Sequence, residues 1–372
     1  MSRYSGILLI LFSTALMVNG QSSDQEWPVF RGKPDLAGFT SLELPSAPVL
    51  LWSLPTGTRT KSSPVISDGL IIFGNDKGSV IAVGTDGKKR WQYEGGTATE
   101  APPMVYGDRI IIGYNDGTVH AIDKKSGKLA WKYKTDGQIV GSSNFWNTGK
   151  KSGIITGSYD YFLHSVDPAN GKFQWKLESM NYINGTPAVS NNNIVFGGCD
   201  GILRIADAFS GREKDTIEIG VYIASSPALS GSKAFFGDYD GNIYCVDLLT
   251  GKTEWRVPAS ETSLSVTAIP AVGKNSVIIG NENKILYCYD FLTGNLKWSF
   301  RTNGRITGSA VITPTRVIFG SFDSFVYILN LQDGKKLWSF NTGSPVSSTP
   351  AVIKDRFYVL TEDGRLLAFG KK

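Results

Sequence analysis

Apolar residues from about residue 46 onward come in short runs that end in glycine, aspartate or asparagine. Leu70-Ile71-Ile72-Phe73-Gly74 is one such run, and Thr118-Val119-His120-Ala121-Ile122-Asp123 is another. Short runs bounded by turn residues are typical of β-strands. No segment carries the 3.6-residue period of an amphipathic helix. The pattern therefore predicts an all-β protein.

A turn followed by a tryptophan repeats along the chain in the form x-Gly-Lys-x-x-Trp. The turn glycines are Gly87, Gly127, Gly171, Gly211, Gly251, Gly294 and Gly334. The tryptophans that follow are Trp91, Trp131, Trp175, Trp255, Trp298 and Trp338, and an earlier Trp52 has the same spacing. Only the fourth copy departs from this form, because Asp215 stands in the tryptophan position. The mean spacing is about 41 residues, a period typical of repeat architectures.

Each period has room for four strands. A Ser/Thr-Pro segment such as Ser63-Pro64 opens it, an Asp-Gly pair such as Asp116-Gly117 forms a tight hairpin, and the tryptophan lies in the last strand. Eight such periods predict an eight-bladed β-propeller over residues 46–372. Trp52 lacks three preceding strands, whereas the last copy has three strands and no tryptophan, so we expect the N-terminal strand to complete the C-terminal blade.

The N-terminal residues predict export. Arg3, the apolar stretch from Ile7 to Val18 and the following Asn19-Gly20 are typical of a signal peptide over residues 1–20. The apolar stretch is shorter than the roughly 20 residues of a membrane span. We therefore expect a periplasmic or extracellular protein, with a segment 21–45 before the propeller. The cysteines, Cys199, Cys245 and Cys288, lie far from the cleavage site, so we expect no lipoprotein anchor.

The distribution of charged residues argues against one class of partner. The 38 basic and 33 acidic residues are spread along the chain without a long run of one sign, so we expect no nucleic-acid partner. The cysteines are too few for a disulfide framework. We expect a monomer.

The repeat of Gly-Lys-x-x-Trp, Asp-Gly hairpin and Ser/Thr-Pro strand, together with Trp27-Pro28-Val29-Phe30-Arg31-Gly32, resembles the pyrroloquinoline-quinone (PQQ)-like propeller family. That family contains quinoprotein dehydrogenases and non-catalytic scaffolds, and the chain is similar to its outer-membrane assembly factors of the BamB type. The resemblance implies a non-enzymatic scaffold in cell-envelope assembly, with a component of the β-barrel assembly machinery as partner. Two alternatives stay open: a PQQ- and Ca²⁺-dependent dehydrogenase of alcohols or sugars, and a secreted propeller that binds a carbohydrate or polymer.

A PQQ site requires cations for the quinone carboxylates, oxygen ligands for Ca²⁺, a carboxylate base and an aromatic platform. The loops that lead into the inner strands hold Arg59, Lys61, Glu100, Gln138, Tyr182, Asn184, Tyr222, Glu261, Ser263, Arg305 and Ser344. They contain few carboxylates and no tryptophan, and the chain has no adjacent cysteine pair. Common hydrolase, nucleotide and zinc motifs are also missing. We therefore expect neither a cofactor nor catalytic residues.

Two further groups of residues could bind something. His120 and His164 occupy the same strand position in consecutive copies, but two histidines without nearby acids do not make a metal site, and we expect none. Large or cationic side chains on the loops entering the inner strands suit a protein interface. We expect exposed anchors at Arg59, Lys61, Tyr182, Ile183, Val221, Tyr222 and Arg305.

Overall fold

The computed structural model describes residues 24–258 and 264–372, and these residues form eight sheets of four antiparallel strands arranged as blades in a ring. The predicted eight-bladed β-propeller is confirmed. Within the described ranges, no helix is long and apolar enough to cross a membrane.

The strands follow one order in every blade, from the inner strand at the central channel to the outer strand at the rim. Blade 1 has β2 (Val65–Ser67), β3 (Leu70–Gly74), β4 (Ser79–Gly84) and β5 (Lys89–Glu94); blade 2 has β6 (Met104–Tyr106), β7 (Arg109–Gly113), β8 (Thr118–Asp123) and β9 (Leu129–Lys134). Blade 3 has β10 (Asn144–Asn147), β11 (Ser152–Gly157), β12 (Phe162–Val166) and β13 (Phe173–Glu178); blade 4 has β14 (Ala188–Ser190), β15 (Asn193–Gly197), β16 (Ile202–Asp207) and β17 (Glu213–Glu218). Blade 5 has β18 (Ala228–Ser230), β19 (Lys233–Gly237), β20 (Asn242–Asp247) and β21 (Lys252–Pro258); blade 6 has β22 (Ala271–Val272), β23 (Ser276–Gly280), β24 (Ile285–Asp290) and β25 (Leu296–Arg301). Blade 7 has β26 (Val311–Ile312), β27 (Arg316–Gly320), β28 (Phe325–Asn330) and β29 (Lys336–Asn341); blade 8 has β30 (Ala351–Ile353), β31 (Arg356–Leu360), β32 (Arg365–Gly370) and β1 (Val49–Pro55).

Burial explains the apolar runs. In β3, the consecutive residues Ile71, Ile72 and Phe73 are all fully buried, because both faces of a blade's middle strands pack against neighbouring blades. The outer strand β5 instead alternates exposed and partly buried side chains. The core therefore lies between the blades rather than within a single sheet.

The ring closes as predicted, through strands from the two ends of the propeller. β1 pairs antiparallel with β32, with Val49 opposite Gly370 and Leu54 opposite Leu366. The closure leaves blade 8 without a covalent turn between its third and fourth strands.

The repeated tryptophans join each blade to the next. Trp91 of blade 1 packs on Gly127 of blade 2, and its Nε1 donates a hydrogen bond to the carbonyl of Lys124 at 3.0 Å. Five more pairs share this packing: Trp52 on Gly87, Trp131 on Gly171, Trp175 on Gly211, Trp255 on Gly294 and Trp298 on Gly334. Blade 8 lacks the turn glycine, so Trp338 packs against Phe357 and Phe369 instead.

The N-terminal segment crosses the channel on one side of the disc. Its backbone carbonyls accept hydrogen bonds from amides in blades 8, 1, 2, 4, 5, 6 and 7, and an asparagine side chain of blade 3 also donates to it. These bonds are Lys354 N to Asp24 O, Ile66 N to Trp27 O, Val105 N to Pro28 O, Asn144 Nδ2 to Pro34 O, Val189 N to Pro34 O, Leu229 N to Asp35 O, Val272 N to Ala37 O and Ile312 N to Gly38 O. We call residues 24–40 the plug, because they contact the inner part of all eight blades.

Arg31 anchors the plug. Its guanidinium is fully buried, donates from Nη2 to the carbonyl of Pro270 at 2.8 Å and from Nη1 to that of Ala310 at 2.5 Å, and reaches the carbonyl of Leu36 from Nε at 3.2 Å. The bonds to blades 6 and 7 make this one side chain a link between the plug and the ring.

Candidate functional site

The two faces of the disc differ. The plug lies on one face, and the other, which we call the open face, carries the loops that enter the inner strands and the hairpins between second and third strands. In most blades a backbone hydrogen bond joins these two sets of loops; in blade 5, for example, the Tyr239 amide donates to the Tyr222 carbonyl at 3.0 Å. The candidate sites of the sequence analysis therefore fall on the open face.

The channel mouth on the open face is a small cavity of about 210 Å³. Phe30 of the plug forms part of its lining, and serine, threonine, glycine and alanine supply most of the rest. Among the described lining residues, Lys61 alone is charged, and its Nζ is 2.9 Å from Oε1 of Glu100. Hydrogen bonding to that carboxylate raises the pKa of Lys61.

Hydroxyl groups of the lining are used to join blades. The Thr186 amide donates to Oγ of Ser226 at 2.7 Å, the Ser142 amide donates to Oγ1 of Thr186 at 2.9 Å, and the Thr349 amide donates to Oγ of Ser63 at 2.9 Å. The serine and threonine residues of the Ser/Thr-Pro segments thus form hydrogen bonds between blades around the channel. Their recurrence follows from blade assembly and needs no ligand.

The described mouth does not fit PQQ with Ca²⁺. A quinone with three carboxylates needs several cations, whereas Lys61 is the one charged lining residue in the described ranges and is already paired. The single aromatic group in that lining is Phe30, and residues 24–258 and 264–372 contain no cluster of three or more His, Cys, Asp or Glu side chains that could hold a metal ion. Glu261 and Ser263 lie outside the described residues.

The two histidines have separate structural partners. Nδ1 of His120 is 3.1 Å from the Tyr93 hydroxyl, and Nδ1 of His164 is 2.9 Å from the Tyr133 hydroxyl, each across a blade boundary. Nε2 of His164 also lies 3.0 Å from Oδ2 of Asp160, so the expectation that the histidines have no nearby acid was wrong for His164. Both rings therefore join blades.

Asp160 illustrates the role of the hairpin aspartates. Burial alone would raise the pKa of this carboxyl, but hydrogen bonds from His164 and from the amides of Asp136 and Phe162 hold it at about 2. Blades 4, 5 and 7 pair a third-strand side chain with a hairpin aspartate in a similar way. These pairs are Arg204 with Asp200, Tyr244 with Asp238 and Tyr327 with Asp323.

The cysteines are free thiols. Burial raises the pKa of Cys245 to about 12 and that of Cys288 to about 11. Both therefore stay protonated and unreactive at neutral pH.

The most distinctive feature of the open face is a group of partly or largely exposed tyrosines over blades 3 to 5. Tyr159 stacks on Tyr182 with ring centroids 4.7 Å apart, and Tyr161 lies 5.2 Å from Tyr182. Tyr222 and Tyr239 form an edge-to-face pair at 6.1 Å, and each is 53% exposed. We call these five residues the tyrosine patch.

The two parts of the patch are close together. Cys199 of blade 4 lies between them along the ring, and its amide donates to the Tyr182 carbonyl at 3.1 Å. Burial raises the pKa of Tyr159, and the neighbouring Cys199 and Tyr239 raise it further. Met180, at the edge of the patch, is 78% exposed. A contiguous group of exposed apolar and aromatic side chains, rather than a single one, is typical of an interaction surface.

The predicted anchors divide between the two halves of the open face. Tyr182 and Tyr222 belong to the patch, and Val221 is partly exposed beside it. The prediction that Ile183 is exposed was wrong, because its side chain is fully buried and packs over Gly157 at the end of the second strand of blade 3.

The cationic anchors lie away from the patch, on the loops entering blades 1 and 7. Nη2 of Arg59 is 3.5 Å from Oε2 of Glu362, and Nη1 of Arg305 is 4.0 Å from Oε2 of Glu282. Arg305 also lies 4.1 Å above the Phe322 ring. With Lys61 on Glu100, these cations are all in ion pairs.

Sequence reasoning missed Tyr159, Tyr161 and Tyr239, which lie on the hairpins rather than on the loops entering the inner strands. A signal was present, since all three are immediate neighbours of a hairpin aspartate, Asp160 or Asp240. The Asp-Gly pattern predicts a turn, but not the direction of the side chains beside it.

Comparisons with known proteins agree with the fold. A sequence model of the family described as outer membrane protein assembly factor BamB matches residues 49–257 and 239–372. No match to the sequence was found among curated proteins. BamB from Moraxella catarrhalis is 20% identical, with 87% of this chain and 98% of that chain covered and a TM-score of 0.73.

Two enzymes of known structure share the architecture as well. The quinohemoprotein alcohol dehydrogenase from Comamonas testosteroni is 13% identical, with 94% of this chain and 81% of that chain covered and a TM-score of 0.79. A europium-containing methanol dehydrogenase is 13% identical, with 94% and 99% covered and a TM-score of 0.79. At these identities the likeness establishes the fold alone.

Proposed function

This chain belongs to the family of the outer membrane protein assembly factor BamB, and from that membership and its exposed tyrosines we propose that it is a non-enzymatic scaffold that binds another protein through its open face. The partner we propose is a component of outer-membrane protein assembly, met in the periplasm after export.

The tyrosine patch is the observation that carries this proposal. Tyrosine supplies a large contact area at a low cost in side-chain entropy, and it is enriched among residues that dominate binding energy. The rings are held by the hairpins and loops of rigid blades, as in the stacked pair of Tyr159 and Tyr182. A rigid aromatic surface loses little freedom on binding.

Site-specific photo-cross-linking tests the proposal. A photoreactive amino acid at position 182 or 222 should cross-link, in cells that export the protein, to a protein of the outer-membrane assembly machinery. The matched control is position 173, because Phe173 is 54% exposed but lies at the start of an outer strand, away from the patch. Equal cross-linking from all three positions, or none from positions 182 and 222, would contradict the proposal.

The dehydrogenase alternative is tested separately, by titrating the purified protein with PQQ and Ca²⁺ while absorbance and thermal unfolding are followed. A ligand that binds only the folded state raises its apparent stability. We expect no saturable change up to about 1 mM PQQ, since Lys61 is the one cation that lines the described mouth. A saturable change at micromolar PQQ would favour the enzyme.

The paired tyrosines also favour a second candidate, a propeller that binds a carbohydrate. Aromatic rings beside a channel mouth can stack on sugar rings, and Tyr159 on Tyr182 offers such a surface. Saturable binding of soluble oligosaccharides that is lost in Tyr182→Ala, together with no cross-linked protein, would support this candidate instead.

A further inference from the structure

We propose that the tyrosine patch receives a cationic segment of the partner protein, rich in arginine or lysine. The inference rests on the proposed function, and it adds the chemistry of the partner.

The loops around the tyrosine patch carry charge of one sign. The loops and hairpins that surround it, residues 135–143, 158–161, 178–187, 198–201, 218–227 and 238–241, contain no lysine or arginine. Their acidic residues are Asp136, Asp160, Glu178, Asp200, Glu218, Asp238 and Asp240. All the charged residues of these loops and hairpins are thus acidic.

Some of these acidic side chains are bonded within the chain, and others are exposed to a partner. Asp160, Asp200 and Asp238 are bonded to third-strand side chains of their own blades. The remaining four, Asp136, Glu178, Glu218 and Asp240, are exposed and make no ion pair within residues 24–258 and 264–372. Their charges are therefore available to a partner.

The charged residues in the other half of the open face are paired differently. On the loops entering blades 1 and 7, Arg59, Lys61 and Arg305 each lie beside a glutamate of the chain. Charge there is largely neutralised within the chain, whereas around the tyrosine patch it is not. Complementary charge across an interface steers association and selects the partner.

The rings of the tyrosine patch are not covered by cations of the described chain. Elsewhere the chain covers aromatic rings with its own cations: Lys176 lies 3.8 Å above Phe162, and Arg256 lies 5.3 Å above Tyr244. In the described part of the chain, no lysine or arginine lies over a ring of the tyrosine patch. A guanidinium or ammonium group can bind a tyrosine face and a carboxylate together, and arginine does so with particular geometric fit.

The test uses the protein purified after export and a fluorescein-labelled decapeptide of alternating arginine and glycine, with fluorescence anisotropy as the readout. We expect saturable binding that weakens as NaCl is raised. Tyr222→Ala should weaken it about five-fold, through loss of a cation–π contact. The double variant Glu218→Gln/Asp240→Asn should weaken it about ten-fold at low salt and much less at about 0.5 M NaCl.

Matched variants control for general effects of charge and surface. Glu282→Gln removes one carboxylate from the other half of the open face, and Phe173→Ala removes an exposed ring away from the patch. Neither should change peptide binding. All five substituted positions are exposed or partly exposed, so thermal unfolding should show that each variant is folded.

Three results would overturn the inference: no binding of the arginine peptide, equal binding of a glutamate-glycine peptide, or an equal loss of binding in Glu282→Gln. Its failure is distinguishable from failure of the proposed function. If the peptide does not bind but positions 182 and 222 still cross-link to an assembly protein, the scaffold stands and its partner is not cationic. If an oligosaccharide binds and Tyr222→Ala abolishes that binding, the patch is a carbohydrate site.

Discussion

Trp91 covers Gly127 so closely that a Cβ atom on the glycine would lie 2.7 Å from Cδ2 of the indole. The glycine has φ +68°, in the left-handed region, so conformation and space both call for a residue without a side chain. The turn glycine and the tryptophan therefore form one packing contact, which holds consecutive blades together. The pair of Asp215 and Gly251 lacks half of it, since the nearest atoms to a Cβ on Gly251 would be 3.9 Å away.

Gly127→Ala should therefore destabilise the protein more than Gly251→Ala. Both glycines have nearly the same φ, +68° and +67°, so both substitutions cost about 1 kcal/mol of backbone strain. Only Gly127→Ala also displaces an indole, which adds about 1–3 kcal/mol. Urea unfolding of both variants measures the difference in the free energy of unfolding. Equal losses would mean that the turn conformation alone selects glycine.

Asp215→Trp should stabilise the protein, because it restores the missing contact between blades 4 and 5. The space over Gly251 is less tightly filled than that over Gly127, and covering part of it with an indole should add about 1 kcal/mol to the free energy of unfolding. Asp215→Ala is the matched control and should have little effect. If Asp215→Trp lowers the free energy of unfolding, the neighbouring Ile217 has already filled the interface.

The number of blades, the closing strand and the interblade tryptophans could all be predicted from the sequence because they repeat. A feature present seven times, such as the turn glycine before β5 or β9, is visible against the variation around it. Closure was predictable because Trp52 and the last three strands are each incomplete alone.

The candidate site was predicted only in part, since a loop residue's direction depends on what lies beneath it. Ile183 is buried because it belongs to a repeated position whose side chain fills the space over the glycine that ends the second strand. Its equivalents are Ile139, Ile223, Val266, Ile306 and Val346, all buried. Tyr182, one residue earlier, is exposed, and its equivalents in other blades differ in size and polarity: Gln138, Tyr222, Ser265, Arg305 and Pro345. Repetition thus marked the structural residue, and variation marked the surface.

The path of the plug was beyond prediction for a different reason. The segment around Trp27 and Arg31 occurs once, and almost all of its bonds to the blades are made with backbone groups, which leave no trace in local sequence. Only the enclosed channel explains why an arginine is fully buried there.

Arg31→Met should destabilise the protein by about 3 kcal/mol, because the carbonyls of Pro270 and Ala310 would lose a charged donor in a buried place. Lys33→Met, two residues away and exposed, is the matched control and should change stability by less than about 0.5 kcal/mol. Chemical unfolding measures both. Equal, small effects would show that the plug is not coupled to the ring.

Stability should fall as the pH is lowered from about 6.5 to about 4, because of His120. Burial, together with a smaller effect of the positive charge of Lys132, lowers the pKa of its imidazole to about 4, although Asp116 opposes both. In the unfolded chain the pKa is about 6.5, so between these values the unfolded state binds more protons than the folded state. The loss levels off below pH 4 and amounts to about 2–3 kcal/mol.

His120→Ile removes the titrating group, and the first blade already has Ile81 at this strand position. The variant loses the contact with the Tyr93 hydroxyl at every pH, so its stability at pH 7 is a separate quantity. The prediction concerns the difference between pH 7 and pH 4, which should shrink by about 2–3 kcal/mol relative to the unsubstituted protein. Urea unfolding at both pH values measures it, and His120→Gln, which keeps a polar group there, should show the same reduced difference. An unchanged pH dependence in both variants would mean that the imidazole can be protonated in place, through access of water to Nε2, which has no hydrogen-bond partner in the described part of the chain.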